Sequence, residues 1–460
     1  MTSIEILPDD VLLEIFDAYI CELREIEASR WQSLVHVCSR WRSLVFASPH
    51  RLKLQLSCTP ETPARDTLEV WPVLPLLVQG HIPEMSDVDD IVAVLEHRHR
   101  VCKIDLNVPS SRLEKISAAM QEPFPELTDL SLWSYDESAP ALSDSFLGGS
   151  APSLLSLWLD GVPFPGLPKL HVSPTFVSLR LLTIPYSGYI SPEAMVNCLS
   201  ALTSLESLRL EFQSPLSNPV QENRELPPPA KVVLPALKDF QFKGVSEYLE
   251  VLVACIDAPH LNYLFITFFN DIEFDAPELV HFIGRTPMFK APDKTRLVFL
   301  DSAVRFKFPL QPSGRGELNV GISCKELDWQ LSSLVEFCSV LFPPLSTSKY
   351  LYIYEHRPSL PASQGDFENT QWLDILRPFI AVKNLYVSEQ FAPRIAGVLQ
   401  KVVAGGMTEV LPRLQNIFLE ELRPSGPVLE DIEQFVAARG LLGNNITVFN
   451  WEREWQEGDE

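Results

Sequence analysis

Few residues in this chain have the types and spacing that chemistry requires. His97 and His99, one residue apart, could bring two imidazoles to one metal ion. Their neighbours Arg98 and Arg100 repel a cation, and no cysteine or carboxylate is adjacent, so no metal is expected there. Asp87, Asp89 and Asp90 would suit a cation or acid–base site. They open an expected helix over 87–100 that closes on the basic run from His97 to Arg100, and this polarity complements the helix dipole. Eight cysteines (Cys21, Cys38, Cys58, Cys102, Cys198, Cys255, Cys324 and Cys338) include no C-x-x-C pair. Most stand among apolar residues, as buried reduced thiols do, which gives neither a disulfide framework nor a zinc ligand set. No G-x-x-x-x-G-K-[ST], G-x-G-x-x-G, H-E-x-x-H or G-x-S-x-G occurs. The expectation is therefore a protein that is not an enzyme, with no catalytic residues, no cofactor and no metal.

The elements must then serve something other than catalysis. Of 460 residues, 46% are apolar and 21% charged, enough for a sizeable core. Prolines number 39 against 19 glycines, which suits many short elements joined by stiff turns. The net charge is −23, of which the first 56 residues carry −2. An acidic body disfavours nucleic acid and anionic membrane surfaces as partners. No uncharged run reaches the ~18 apolar residues of a membrane span. The N-terminus has no basic region ahead of an apolar core, so no signal peptide is expected. A cytoplasmic or nuclear location is expected.

The spacing predicts a first helix over 7–23. Pro8 suits the first turn, Asp9 and Asp10 complement the dipole, and Leu12, Ile15, Phe16, Tyr19 and Leu23 recur at helical intervals. A second helix is predicted over 29–47, with Trp31, Leu34, Val35, Cys38, Trp41, Leu44 and Val45 on one face, stopped by Ser48-Pro49. So small a helical unit is marginal alone, and its apolar faces must meet the downstream chain or a partner.

These residues resemble a known family. Leu7-Pro8-x-x-Val11-Leu12-x-x-Ile15-Phe16, then Val37-Cys38-x-x-Trp41-Arg42-x-Leu44 and Ser48-Pro49, look like the F-box. Trp31 ahead of the second segment, the continuation Arg51-Leu52-x-Leu54-x-Leu56 and the stretch from Trp71 to Leu76 are similar to the variant in large fungal, basidiomycete-type F-box families. The match covers about fifty residues. The interval from Leu7 to Cys38 is longer than in a generic F-box by about two helical turns, with the extra material near 21–29. The resemblance implies docking on the Skp-type adaptor of a cullin–RING ubiquitin ligase. It implies adaptor contacts from Leu7, Pro8, Val11, Leu12, Ile15, Phe16, Leu34, Val37, Cys38, Trp41 and Leu44, some of which must instead be core.

Further on, the pattern apolar-x-x-apolar-x-apolar recurs. It runs Val101/Ile104/Leu106, Leu127/Leu130/Leu132, Leu154/Leu157/Leu159, Leu179/Leu182/Ile184, Leu205/Leu208/Leu210, Leu237/Phe240/Phe242 and Leu261/Leu264/Ile266. The steps of 26, 27, 25, 26, 32 and 24 residues resemble leucine-rich repeats. Each x-L-x-L would be a short parallel strand. Return helices are expected at 112–120, 192–202, 247–255 and 277–284. After 290 the pattern weakens: strands are expected at 295–300, 305–308 and 318–322, and a helix at 326–341. It returns at Leu351/Ile353, Val382/Leu385/Val387 and Leu414/Ile417/Leu419, with helices at 370–379, 392–404 and 429–439. Loops at 136–152, 213–235, 311–316 and 356–367 could bind or merely space the repeats. The scattered aromatics are assigned to core.

The expected fold class is α/β: a small all-α F-box at 1–56, a connecting segment at 57–98, an irregular leucine-rich-repeat-like solenoid with a parallel sheet at 99–450, and an acidic tail at 451–460. The expected role is substrate receptor of a Skp–cullin–F-box ubiquitin ligase, with the repeats recruiting an unknown protein target. Such a receptor works by holding the target's lysines near the charged conjugating enzyme. The alternative is an interaction scaffold whose F-box-like helices pack intramolecularly on the repeats.

Overall fold

The computed structural model describes residues 7–21, 31–61, 63–84, 87–136, 139–214, 231–269, 276–289, 292–309, 316–324, 327–340, 345–356, 366–406, 409–421 and 426–452. The Cys21 side chain, residues 22–30 of the lengthened stretch, most of the loops 213–235, 311–316 and 356–367, and the tail beyond 452 lie outside them. The chain forms two compact units, Met1–Ile190 and Ser191–Glu460.

The first unit opens with helices α1 (Asp9–Cys21), α2 (Trp31–Val35) and α3 (Ser39–Ala47). Pro8 accepts from the Leu12 N–H at 3.0 Å, with Asp9 and Asp10 in the first turn. The helix expected over 29–47 is two helices. Cys38 is extended (φ −159°, ψ 169°), and its Sγ accepts from the Trp41 N–H at 3.5 Å, so it caps α3 instead of continuing α2.

Strands Leu56–Cys58, Leu76–His81, Val101–Asn107, Asp129–Trp133, Ser156–Asp160 and Ser178–Ile184 then lie parallel, each beside the next. Residues 57–98, expected to connect, supply the second of these strands, most of the first, and helices Ala64–Val70 and Asp89–Leu95. The sheet thus begins earlier than the leucine pattern suggests. Leucines line up across the strands in two rows, Ile104–Leu130–Leu157–Leu179 and Leu106–Leu132–Leu159–Leu181. The fourth repeat is therefore framed Phe176/Leu179/Leu181, not Leu179/Leu182/Ile184. The run Leu179, Leu181, Leu182, Ile184 hides the frame because all four are apolar and buried. Gly161 (φ +66°) turns the chain where a Cβ would lie 2.0 Å from the Ser134 carbonyl oxygen, so no larger residue fits without movement.

In the second unit, strands Ser207–Phe212, Asp239–Gly244 and Tyr263–Phe268 continue the parallel pattern. Glu317–Ser323 comes next in space, then Ala303–Pro309, then Lys294–Leu300. The middle strand is antiparallel to both neighbours. Leu300 faces Ala303, so Asp301-Ser302 is a two-residue hairpin turn. The three strands expected at 295–322 are thus a reversed meander set into a parallel sheet, which is why the leucine repeat fades there. Tyr350–Glu355, Asn384–Val387, Asn416–Glu420 and Thr447–Trp451 resume parallel order. Helices Pro192–Leu199, Ser246–Cys255, Pro277–Arg285, Leu327–Val340, Asp366–Leu376, Ala392–Ala404 and Pro427–Leu441 return the chain. The first of these starts with Pro192 and is capped by Ser191, whose Oγ accepts from the Ala194 N–H at 3.2 Å. No helix of the described residues is long and apolar enough to cross a membrane.

Among the described residues the seven cysteines are free thiols; Cys38 is exposed and Cys58, Cys255, Cys324 and Cys338 are buried. Burial pushes Cys58 and Cys198 up to about 11, and Cys338 higher still. A two-unit rise leaves about a hundredfold less thiolate near neutral pH. With a maleimide at pH 8, Cys38 is expected to react well before Cys58, Cys198 and Cys338, which react fully only in denaturant. Native-state labelling of Cys338 as fast as Cys38, read by mass spectrometry, would contradict this packing.

Candidate functional site

The three N-terminal helices share a small core. Leu12, Leu13 and Phe16 of α1, Leu34 and Val35 of α2, and Val45 of α3 are buried. The Phe16 ring centroid lies 4.7 Å from that of Trp41. Arg40 joins the starts of α1 and α3: its Nη2 donates to Asp9 Oδ1 and to the Leu7 carbonyl oxygen, both at 2.6 Å. Arg51 donates to Glu14 Oε1 at 2.5 Å. Such exposed ion pairs stabilise by about 0–1 kcal/mol each, so they set orientation more than they hold the helices together. Arg42 Nε donates to the Val35 carbonyl oxygen at 2.9 Å, satisfying an acceptor left at the end of α2.

Trp31 fixes this group to the rest of its unit. It is 1% exposed, and its Nε1–H donates to the Gln55 carbonyl oxygen at 2.7 Å. Its ring stands edge-on to Phe46 at 6.1 Å and to Trp71 at 5.2 Å. Trp71 also meets His36 at 6.3 Å and Phe46 at 6.5 Å. Leu52 and Leu54, on the path into the first strand, are buried too.

The eleven expected contact residues separate into three groups. Leu12, Phe16 and Leu34 belong to the core. Leu7, Trp41 and Leu44 are half-buried. Pro8, Val11, Ile15, Val37 and Cys38 are exposed, Val37 to 58%. The single apolar stripe read along α1 is two stripes on one helix: Leu12 and Phe16 face inward. Val11, Ile15 and Tyr19, four residues apart, are 38%, 43% and 38% exposed. Tyr19 was not among the eleven; its place four residues after Ile15 was the available signal. Its hydroxyl lies 3.3 Å from Ser33 Oγ, linking α1 to α2.

The other candidates resolve structurally. His97 and His99 have ring centroids 6.3 Å apart, and among the described residues no group of three His, Cys, Asp or Glu could hold a metal. Asp87 Oδ1 accepts from the Val88 N–H at 2.7 Å, Lys115 Nζ meets Asp89 at 2.5 Å, and Asp90 accepts from the Ala64 N–H at 3.1 Å. The acidic group thus organises a helix start. The aromatics are not all core: Tyr352, Tyr386 and Phe418 are half-buried and Phe449 is exposed, on the sheet face opposite the buried aliphatic rows.

No known family model matches the chain. No curated protein matches it either. Among solved structures, the leucine-rich repeat-containing protein LegL7 from Legionella pneumophila aligns with 83% of this chain and 97% of its own, at 13% identity and a TM-score of 0.29. So loose a superposition carries no argument about this chain.

Ile15→Asp and Val37→Asp are expected to change unfolding free energy by no more than about 0.5 kcal/mol, as exposed substitutions do. Phe16→Ala is expected to cost about 3–5 kcal/mol. Denaturant unfolding followed by tryptophan fluorescence checks both. An Ile15→Asp loss as large as that of Phe16→Ala would place the outer stripe inside the fold.

Proposed function

We propose that the chain is a substrate receptor of a Skp–cullin–F-box ubiquitin ligase: α1–α3 dock on a Skp-type adaptor, and the repeats recruit a protein target. The observation that carries this reading is the outer stripe Val11–Ile15–Tyr19, kept in water on a short helix whose inner stripe is already buried. Apolar surface at regular helical spacing is the form a helix takes when a partner covers it. Of the F-box-like residues, Leu7-Pro8 lead into α1, Val37-Cys38 form the turn between α2 and α3, and Trp41-Arg42 lie in α3. In this reading Leu12, Phe16 and Leu34 hold the helices together, and Pro8, Val11, Ile15, Tyr19, Val37 and Cys38 meet the adaptor, with Trp41 and Leu44 at the rim. The receptor needs no nucleophile; it works by proximity, in the cytoplasm or nucleus. The leucine-rich-repeat-like character rests on the in-register leucine rows of parallel strands.

A second reading, an interaction scaffold, draws on one observation: Trp31 is buried against Phe46 and Trp71 and bonded to Gln55, so part of the helical group packs intramolecularly. The outer stripe distinguishes the two readings, since a scaffold closed on itself has no use for it. Co-expression with a Skp-type adaptor tests this. A stoichiometric complex is expected, lost in the folded Val11→Asp, Ile15→Asp, Val37→Asp variant. Failure of the folded wild-type chain to bind soluble adaptor would leave the scaffold reading in front.

A further inference from the structure

The sheet of the second unit ends on strand Thr447–Trp451. It pairs with Asn416–Glu420 on one side and with no described strand on the other. A repeat is stable through its neighbours, and this last one has a neighbour on one side only. The loss shows in the core row. Leu351, Leu385 and Ile417 are each 0% exposed, whereas Val448, the next in register, is half-buried. The row of rings on the opposite face ends the same way. Tyr352 stacks on Tyr386 and Tyr386 on Phe418, both at 4.3 Å, and Phe418 meets Phe449 at 5.0 Å. Phe449 is left 40% exposed. Leu441 and Leu442, at the end of helix Pro427–Leu441, are 91% and 63% exposed.

Sheet edges are ordinarily blunted by charge, proline or a bulge, and solenoid ends by polar side chains. Asn450 supplies one polar group here, in register with Leu419. Otherwise this end is uncharged. Thr447–Trp451 contains no proline, and the stretch from Gly440 to Trp451 contains no Asp, Glu, Lys or Arg, in a chain of which 21% is charged.

We propose that this edge joins the same edge of a second copy of the chain, strand Thr447–Trp451 running antiparallel to itself across a two-fold axis. Charge favours this occupant. With a net charge of −23, two copies repel wherever their charged surfaces meet, and an uncharged edge is where they can touch. A strongly basic or acidic partner would find no charge there to recognise. The edge is also self-complementary. The Thr447 N–H donates to the Gln415 carbonyl oxygen at 2.9 Å, so by strand alternation the Val448 N–H points to the outer edge. Antiparallel pairing centred on Phe449 sets Phe449 against Phe449 and Thr447 against Trp451 on one face. The stacked row then continues into the second copy. Helix Pro427–Leu441 runs opposite to its counterpart in such a pair. Its acids Glu430, Asp431 and Glu433 lie in its first half, so they meet the uncharged end of the other helix instead of each other.

Sedimentation equilibrium of the full chain over a range of concentrations, at low and at high salt, tests this. A monomer–dimer equilibrium is expected. Added salt should tighten it, because screening removes repulsion between two acidic chains while the contact itself has no ion pair to lose. Phe449→Lys and Phe449→Glu each set like charges against each other on the axis. Each is expected to weaken self-association by about tenfold or more with an unchanged thermal midpoint. Mixed in equal amounts, the two variants are expected to associate again, Lys against Glu. Val448→Pro removes the outward N–H and keeps the bonds to Asn416–Glu420, and it should weaken self-association too. A wild-type monomer under every condition would overturn the proposal and leave the edge to another protein or to residues beyond 452. A dimer indifferent to these variants, or one loosened by salt, would overturn it by putting the contact elsewhere on the surface. A mixture that stays monomeric would overturn the pairing about Phe449. The adaptor takes no part in these measurements, so their outcome is separate from that of the receptor reading.

Discussion

Leu130, Leu157 and Leu179 lie side by side because parallel hydrogen bonding keeps neighbouring strands in step. A strand of five residues cannot bury its own leucines; only the next strand, offset by one repeat, closes the row. Each repeat is therefore stable only through its neighbours. The same constraint runs through the second unit, from Leu208, Phe240 and Leu264 to Leu351, Leu385 and Ile417. Even the reversed meander obeys it, since Leu318, Phe308 and Thr295 keep the row continuous across antiparallel strands. Thr295, fully buried where an aliphatic side chain would otherwise stand, shares a hydrogen bond with Ser348 Oγ at 2.5 Å, so its hydroxyl is satisfied.

Most of the apolar core lies on one side of the strands; on the other side of the second unit's strands Thr267, Val298, Asn319 and Tyr354 are buried as well, while Tyr352, Tyr386 and Phe418 stack half-buried in register. The N-terminal helices follow a parallel logic at smaller scale. The unit is too small to bury two faces of α1, so Leu12 and Phe16 turn inward and Val11, Ile15 and Tyr19 remain outside. Trp31, held by Gln55 and Trp71, keeps this helical group seated while its outer stripe stays available.

Much of this was legible in the residues, and the failures have identifiable causes. Periodicity placed the helices at 192–202, 247–255, 277–284 and 392–404 within a few residues of where they lie, because proline and serine starts and apolar spacing agree there. The strands at 295–322 were legible as strands, but their order was not, since the pairings that fix it, of Tyr263–Phe268 with Glu317–Ser323 and of Lys294–Leu300 with Tyr350–Glu355, join strands far apart in the chain and leave no local trace. The fourth repeat was misframed because adjacent leucines satisfy two frames equally. The break at Cys38 was missed because a thiol cap has no strong sequence signature. For the candidate site, the F-box-like pattern marked the stretch that folds into the three N-terminal helices. It could not separate core from surface along α1, because inward and outward apolar residues there differ by a single position. The aromatics at Tyr352, Tyr386 and Phe418 were assigned to core although their alternation with buried aliphatics already placed them on the other face.

The central claim is that α1 and the α2–α3 turn form a surface completed by a partner. Hydrogen–deuterium exchange of the full chain, alone and with a Skp-type adaptor, addresses it most directly. Slower exchange confined to residues 8–20 and 36–41, with the repeat strands unchanged, is the expected result. Unaltered exchange in those helices at saturating adaptor, or protection appearing only in the repeats, would contradict it.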